Sequence, residues 1–292
     1  MNTLPTPPAR RSVCALLTCF NRRDKTLACL AALESSTGIE SFELHAVLVD
    51  DGSRDGSAAA VRERFPWVQV MEAEGDLYWC RGMHRAFGQA LAWGHDFYLW
   101  LNDDTLPDRD AAARLLACHD ELQGRLGRPL IVVGSTRDGG SGKLTYGGER
   151  RAPGWRRLRF ALVTPQAEPV RVDTFNGNIV LVSAAAAAIV GNLDPTYEHA
   201  MGDTDYGLRA GRLGVPSWLA PGTHGVCEHN SVGGTHRDRA LPWRRRWALM
   251  LGRKGLPPRS WWHFTRRHGG PLWPALLLWP YTRVLASRLG SR

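Results

Sequence analysis

Between residues 12 and 135 short β-rich runs alternate with helix-period segments, and no other feature of the chain constrains its fold as much. Ser12 to Phe20, Phe42 to Val49, Trp67 to Glu72 and Phe97 to Leu101 read as strands. Arg22 to Glu34, Asp55 to Phe65, Arg81 to Trp93 and Asp108 to Leu122 read as helices, the first with Leu27, Leu30 and Leu33 on one face. Strand then helix, repeated, predicts an α/β fold: a mostly parallel sheet with helices on both faces. Ligands of such sheets collect at the carboxyl ends of the strands. Thr18 to Arg22, Asp50 to Ser53 and Asn102 to Thr105 each follow an apolar strand and therefore fall around one crevice.

Beyond Pro129 the rhythm changes. Ile131 to Gly134 reads as one more strand and Asp138 to Gly148 as a Gly-rich loop. Residues 155–182 suggest antiparallel strands ending at the Asn176-Gly177-Asn178 turn and the Ile179 to Val182 run. An Ala-rich helix follows from Ser183, a suitable N-cap, to Val190. A second helix begins near Asp203 and reaches Leu213, and Pro216 to Leu219 reads as the last strand.

The length, 292 residues, holds one large domain or two small ones, and 43% hydrophobic with 22% charged residues excludes a disordered or coiled-coil chain. Every apolar stretch, Leu276 to Trp279 included, falls far short of the roughly 20 residues a spanning helix needs. Val13 to Phe20 follows Arg10 and Arg11 but lacks a small-residue cleavage site, so it reads as a strand rather than a targeting segment. Cys14, Cys19, Cys29, Cys80, Cys118 and Cys227 form no CxxC pair and no metal spacing, which suits free thiols in a reduced, cytoplasmic protein.

Two phosphate-binding patterns are missing. The Gly142-Lys143 pair has Arg137 and Leu144 where a P-loop needs Gly and Ser or Thr, and no G-x-G-x-x-G follows the first strand. The crevice is acidic instead. Asp50 and Asp51, followed by the turn residue Gly52, can receive donor groups, although an Asp-Gly turn with a helix cap would look the same. Asp103 and Asp104 offer hard oxygens suited to Mg2+ or Mn2+ against a diphosphate. Asp203, at a helix start, reads by itself most simply as a cap or a partner of the helix dipole.

Thr18-Cys19-Phe20-Asn21-Arg22, Val49-Asp50-Asp51-Gly52-Ser53, Asn102-Asp103-Asp104 and Gly202-Asp203-Thr204-Asp205-Tyr206-Gly207-Leu208-Arg209, in this order, resemble the signature of family 2 glycosyltransferases with the GT-A fold. Gly75-Asp76-Leu77-Tyr78-Trp79 with Arg81-Gly82-Met83 resembles the donor-side segment of bacterial rhamnosyltransferase-like members. The likeness covers residues 12–230. It implies a Rossmann-like catalytic domain over 1–230 and an inverting, metal-dependent hexosyl or rhamnosyl transfer. The donor would be a nucleotide sugar, and the acceptor a hydroxyl of a glycan or lipid-linked glycan in bacterial surface polysaccharide synthesis. By the resemblance, Thr18, Asn21, Arg22, Asp50, Asp51, Arg81 and Asp103 bind the donor. Thr18 and Asp51 would lie at the base, Asp50 would give structural support, Arg81 would face the donor and Asp103 would lie near the ribose. Asp104 would hold Mg2+ or Mn2+, with His229 a further ligand and His224 its rival. Asp203 is the favoured base and Asp205 the alternative. Asn102 stands where many members have Asp, and Gly202 where the last motif usually has Glu.

Charge is split along the chain. Residues 231–292 carry thirteen Arg and Lys against the single Asp238, while the body before them is nearly neutral. The same tail holds six of the twelve Trp, which suits the headgroup region of an anionic membrane. The expectation is a basic aromatic helical extension that holds the protein peripherally at the inner face of the plasma membrane. A helical cap on the body or a homo-oligomer contact is the other use of such a segment. The alternatives are a catalytically silent scaffold that keeps the fold or a nucleic-acid-binding protein using the basic tail, but nucleic acid is not expected as a partner, because single-strand platforms interleave aromatics with a groove and the crevice is acidic.

Overall fold

The computed structural model describes residues 10–38 and 42–287. The strand–helix units are β1 (Arg11–Cys19) with α1 (Arg23–Glu34), β2 (Phe42–Asp50) with α2 (Ser57–Arg64), and β3 (Val68–Glu72) with α3 (Tyr78–Trp93). Then β4 (Phe97–Leu101) leads through a two-residue β5 (Leu106–Pro107) to α4 (Ala111–Leu126). β1 pairs in parallel with β2 and β4, and β2 with β3. Along β1, Cys14 and Leu16 enter the core beneath α3, whereas Val13, Ala15 and Leu17 enter the one beneath α1, α2 and α4. A strand buried on both faces therefore reads as an unbroken apolar run.

The remaining strands are β6 (Ile131–Val133), β7 (Thr136–Arg137), β8 (Leu144–Tyr146), β9 (Gly148–Arg151), β10 (Phe160–Leu162), β11 (Val170–Val172), β12 (Thr174–Phe175) and β13 (Ile179–Ser183). After α5 (Ala184–Val190) and α6 (Gly202–Arg212) come β14 (Ser217–Leu219) and β15 (Gly225–Val226). The main sheet has eight strands in the order β11-β14-β6-β13-β4-β1-β2-β3. It is antiparallel where β13 lies between β4 and β6 and where β11 meets β14. Two expectations need correction. The segment from Asp138 to Gly148 is not all loop, since β8 runs antiparallel to β7, and β14 is not the last strand, since β15 joins β5 and β7. Strands of two or three residues are too short to carry a period that a sequence can display. Ser183 does cap α5, its Oγ accepting the Ala186 amide at 3.3 Å.

Trp100, fully buried, fixes the geometry next to the crevice. Its ring lies edge-on to Phe87 of α3, Phe175 of β12 and Tyr206 of α6, with centroids 5.8, 6.0 and 4.8 Å away. Full burial of one such side chain contributes about 1.5–3 kcal/mol, and edge-on aromatic pairs add to it. Because Trp100 is two residues before Asn102, this packing sets the first turn of α6 against the end of β4.

The basic extension forms α7 (Trp243–Leu251), α8 (Pro258–His268) and α9 (Trp273–Ala286). α8 buries Phe264 in the same core as Tyr206, and Trp261 Nε1 donates to the Leu277 carbonyl of α9 at 3.0 Å. Among the described residues no helix is long and apolar enough to cross a membrane.

Candidate active site

The ends of β1 and β2 are stitched together. The Asn21 amide donates to Ser53 Oγ at 2.9 Å, and the Arg54 amide to Asn21 Oδ1 at 2.8 Å. Asp50 Oδ1 accepts the Ser53 amide at 2.9 Å. The buried carboxylate of Asp51 accepts the amides of Leu77 and Tyr78 at 3.0 and 2.8 Å, so it satisfies free donors at the start of α3. Gly52 has a left-handed φ of 78°, and a Cβ there would lie 2.9 Å from the Gly75 nitrogen. Thr18 is buried against Gly82 of α3. The structure thus brings Thr18, Asn21, Asp50 and Asp51 to one rim, with both acidic side chains committed to backbone amides.

At the end of β4, the Asn102 amide donates to the Asn178 carbonyl at 3.1 Å, and its side-chain oxygen accepts Trp79 Nε1 at 2.7 Å. Arg22 Nη1 spans the acidic pair, 3.2 Å from Asp103 Oδ1 and 2.8 Å from Asp104 Oδ2. Asp103 Oδ2 is buried without a partner. Burial raises the Asp103 carboxyl to about 6 against the opposing pull of Arg22. Cys227 Sγ lies 3.7 Å from Asp104 Oδ1.

The two candidate histidines differ in setting. His229 is exposed, stacked on Tyr146 at 5.6 Å, with Nδ1 2.9 Å from the Asn230 carbonyl. His224 is enclosed, its ring against Gly134, and burial pushes its pKa down to about 4. Among the described residues no three His, Cys, Asp or Glu side chains form a metal cage. Asp103 and Asp104, with one buried oxygen left over, nevertheless suit a divalent cation of the Mg2+ type, which is commonly bound by one or two carboxylates together with substrate phosphates.

Opposite stands the first turn of α6. Asp203 is half-buried, with Oδ2 accepting the Gly177 amide at 3.0 Å and Oδ1 the Thr204 amide at 2.7 Å. Burial raises its carboxyl above the usual range. Gly177 rests on the ring of Trp79, so this one side chain links Asn102 to the turn that holds Asp203. Gly202 lies against Cys80 so closely that a Cβ would collide with the Sγ atom, which accounts for glycine where a glutamate was anticipated.

Asp205 is fully buried. It receives Tyr197 Oη at 3.1 Å, Arg209 Nε at 2.8 Å, Arg267 Nη1 at 2.9 and 3.1 Å and lies 2.8 Å from His268 Nε2. It therefore ties α6 to α8, and of the two acidic residues only Asp203 has solvent access.

Arg81 Nε donates to the Pro195 carbonyl at 3.0 Å, and its guanidinium lies 3.4 Å from Glu198. Arg253, between α7 and α8, shares Glu198 and lies over the Tyr78 ring, so the extension reaches the donor-side segment. Among the described residues, the non-glycine positions with left-handed backbone are Asn21, Tyr78 and Met201, which flank these three clusters. One acidic group escaped the sequence reading. Glu149 on β9 is raised to about 7 by burial and by the nearby charge of Asp203. It lay in a segment without periodicity, and nothing local marks it.

A mixed sheet with this strand order, and acidic turns at its strand ends, is the GT-A fold of glycosyltransferases. Residues 14–180 match the model of glycosyl transferase family 2, and the chain belongs to that family. Over 218 residues it is 28% identical to an N-acetylglucosaminyl-diphospho-decaprenol L-rhamnosyltransferase of Mycobacterium tuberculosis, covering 66% of this chain and 69% of the relative. Among solved structures it resembles a mannosyltransferase, PcManGT from Pyrobaculum calidifontis, in complex with GDP-Man and Mn2+. That likeness has a TM-score of 0.57 and 16% identity, over 99% of this chain and 76% of the other. It also resembles GalNAc-T7 with UDP, GalNAc and Mn2+, with a TM-score of 0.56 and 15% identity over 73% of this chain. The match spans 43% of the GalNAc-T7 chain, less than half its length.

Proposed function

We propose that this glycosyltransferase moves a sugar, of hexosyl or rhamnosyl type, from a nucleotide-sugar donor to a hydroxyl of a lipid-linked glycan, with inversion, in bacterial surface polysaccharide synthesis. The observation that carries the reading is the pairing of Asp203 with the Asp103–Asp104 turn through Trp79. Asp203 is accessible, oriented by two amides and raised toward the pH at which a carboxylate is an effective general base. It takes the proton of the acceptor hydroxyl as that oxygen attacks the anomeric carbon, and the nucleoside diphosphate departs. Thr18, Asn21, Arg22 and Asp103 border the donor, with Asp50 and Asp51 shaping the loops and Arg81, bonded to the Pro195 carbonyl and Glu198, on the donor side of α3. Asp104 and Asp103, with His229 two residues beyond the Cys227 that touches Asp104, would hold Mg2+ or Mn2+, which would supply positive charge to the leaving diphosphate. The similarity to a rhamnosyltransferase acting on a diphospho-decaprenol acceptor supports the lipid-linked reading.

A thermal-shift screen of nucleotide sugars with Mn2+ tests this. A donor at 100 times its Kd should stabilise the protein by about 2.7 kcal/mol. The shift should vanish in EDTA and in Asp104→Asn. A donor shift undiminished by either change removes the metal from the reading.

The division into a catalytic domain over 1–230 and a membrane-facing extension over 231–292 is part of the same proposal. Trp262, Leu272, Leu278, Trp279 and Leu285 are exposed, as are Arg244, Arg245, Arg266 and Arg283. The full chain should sediment with phosphatidylglycerol vesicles at low salt and be released at high salt, and Leu278→Glu with Trp279→Glu should prevent sedimentation. A full chain that stays in the supernatant at low salt assigns these side chains to contacts between copies. Because α8 contributes Phe264 to the catalytic core, substitution is a cleaner test than truncation.

A further inference from the structure

Behind α6, away from the acidic crevice, lies a cavity of about 370 Å³ whose wall carries Arg151, Arg157, Arg171, Arg212, Arg267 and His268. Arg267 is committed to Asp205 and Asp194. The other four guanidiniums have no ion pair among the described residues. Arg212 donates to the Arg267 carbonyl at 3.0 Å and lies 3.2 Å from His268 Nδ1, and Arg151 Nε and Arg157 Nε are buried without a hydrogen-bond partner, the Arg151 guanidinium lying over the Phe160 ring. The carboxylate on this wall, Asp173, accepts the Arg151 backbone amide at 2.8 Å. Burial, together with neighbouring guanidiniums, holds both Arg151 and Arg212 below the ordinary guanidinium range. Cations crowded this way repel one another, and the planar donor fork of arginine matches phosphoryl oxygens.

The surroundings narrow the ligand further. An adjoining recess that shares Arg151, Arg157 and Asp173 is lined by Pro153 and Gly154. The next residue, Trp155, is 55% exposed and lies edge-on to Trp279, itself 54% exposed, with centroids 6.4 Å apart. Gly270 also lines the cavity, against Arg157, and Leu272 two residues on is exposed. A cationic recess beside an apolar ledge has the polarity of an anionic amphiphile turned inside out.

We propose that this recess binds a diphosphate group, with Arg151, Arg157, Arg171 and Arg212 as its donors, and that the Trp155–Trp279 ledge takes the hydrocarbon to which that group is attached. The site is separate from the donor crevice. Along α6 its lining runs from Gly207 to Arg212, four to nine residues past Asp203, or about 6 to 14 Å at 1.5 Å per residue. Only the identity of the carrier as the acceptor's lipid rests on the function proposed above; the anion site does not.

The test uses the full chain in EDTA with no nucleotide sugar, and its probes are inorganic pyrophosphate and farnesyl diphosphate. Titration calorimetry should find both binding to the wild-type protein, with farnesyl diphosphate at least tenfold tighter. Arg157→Gln with Arg171→Gln should weaken both at least tenfold while the thermal midpoint without ligand is held or raised, because repulsion is relieved. Trp279→Ala should weaken only the farnesyl ligand. Absence of binding to the wild-type protein, or affinity unchanged in the double variant, overturns the site. Equal affinity for the two probes overturns the lipid source in favour of a soluble diphosphate. Since no donor or metal is present, none of these outcomes depends on the transferase reading.

Discussion

Replacing Asp203 with Asn lowers turnover by about 100- to 10,000-fold, the range expected when a general base is lost, and leaves the Kd of the donor near the wild-type value. Asn keeps the shape of the side chain but cannot accept the acceptor's proton. If Asp203 is the base, the wild-type enzyme should lose kcat/KM as pH falls through the raised pKa of this carboxyl, since the base must be ionised. That acidic limb disappears in the variant. Steady-state kinetics over a pH series, with donor binding measured separately, reads all three effects. Near-normal turnover in Asp203→Asn moves the role to another carboxyl, and Glu149, raised to about 7 beside it, is the next to substitute.

Asp205→Asn acts on stability instead. It leaves Arg209, Arg267 and His268 facing a neutral amide in a fully buried place, and breaking a buried ionic network by removing one partner costs about 3–5 kcal/mol. Burial alone would raise the Asp205 carboxyl, but the His268 hydrogen bond and the charges of Arg209 and Arg267 outweigh it and lower its pKa from 3.8 to about 2. A carboxyl lowered by folding adds stability that is complete above its unfolded pKa and is lost as pH falls through the folded one. Wild-type stability should therefore decline between pH 4 and pH 2 through this group, and that part of the decline should be missing in the variant. Urea unfolding at pH 7 and across that window tests both statements. A midpoint unchanged at pH 7 means that α8 is held to the body by its other contacts, the pairs of His263 and Arg267 with Asp194 and the apolar packing of Phe264.

Much of the first half was legible because each strand is long enough to show its period and each acidic turn sits directly after one. Thr18, Asp50 and Asp103 could be placed at strand ends without any coordinates. Their partners could not. That Asp51 serves the amides of Leu77 and Tyr78 depends on how α3 returns to the sheet, and that Trp79 bridges Asn102 to Gly177 joins segments with no local signal for contact. The choice between Asp203 and Asp205 was open for a related reason. Both lie in the first turn of one helix, and only the arrival of Arg267 and His268 encloses one of them. The tail was legible as basic and aromatic, yet composition does not distinguish Trp261, packed on the core, from Trp279, exposed to solvent. The arginine recess was invisible for the same reason, since β9, β11, α6 and α8 are separated widely in the chain.

The bond from Arg267 to Asp205 spans 62 residues, and it has a consequence for how the enzyme comes into being. A ribosome adding about 5–20 residues per second exposes the donor crevice first and the residues that clamp α6 several seconds later. During that interval Asp205 has only Tyr197 and Arg209 as partners, and the turn bearing Asp203 lacks the anchor that α8 provides. Nascent chains therefore acquire the donor-side loops before the helix that carries the proposed base is locked. The clamp on α6 closes when the segment that presents tryptophan and arginine to its surroundings docks.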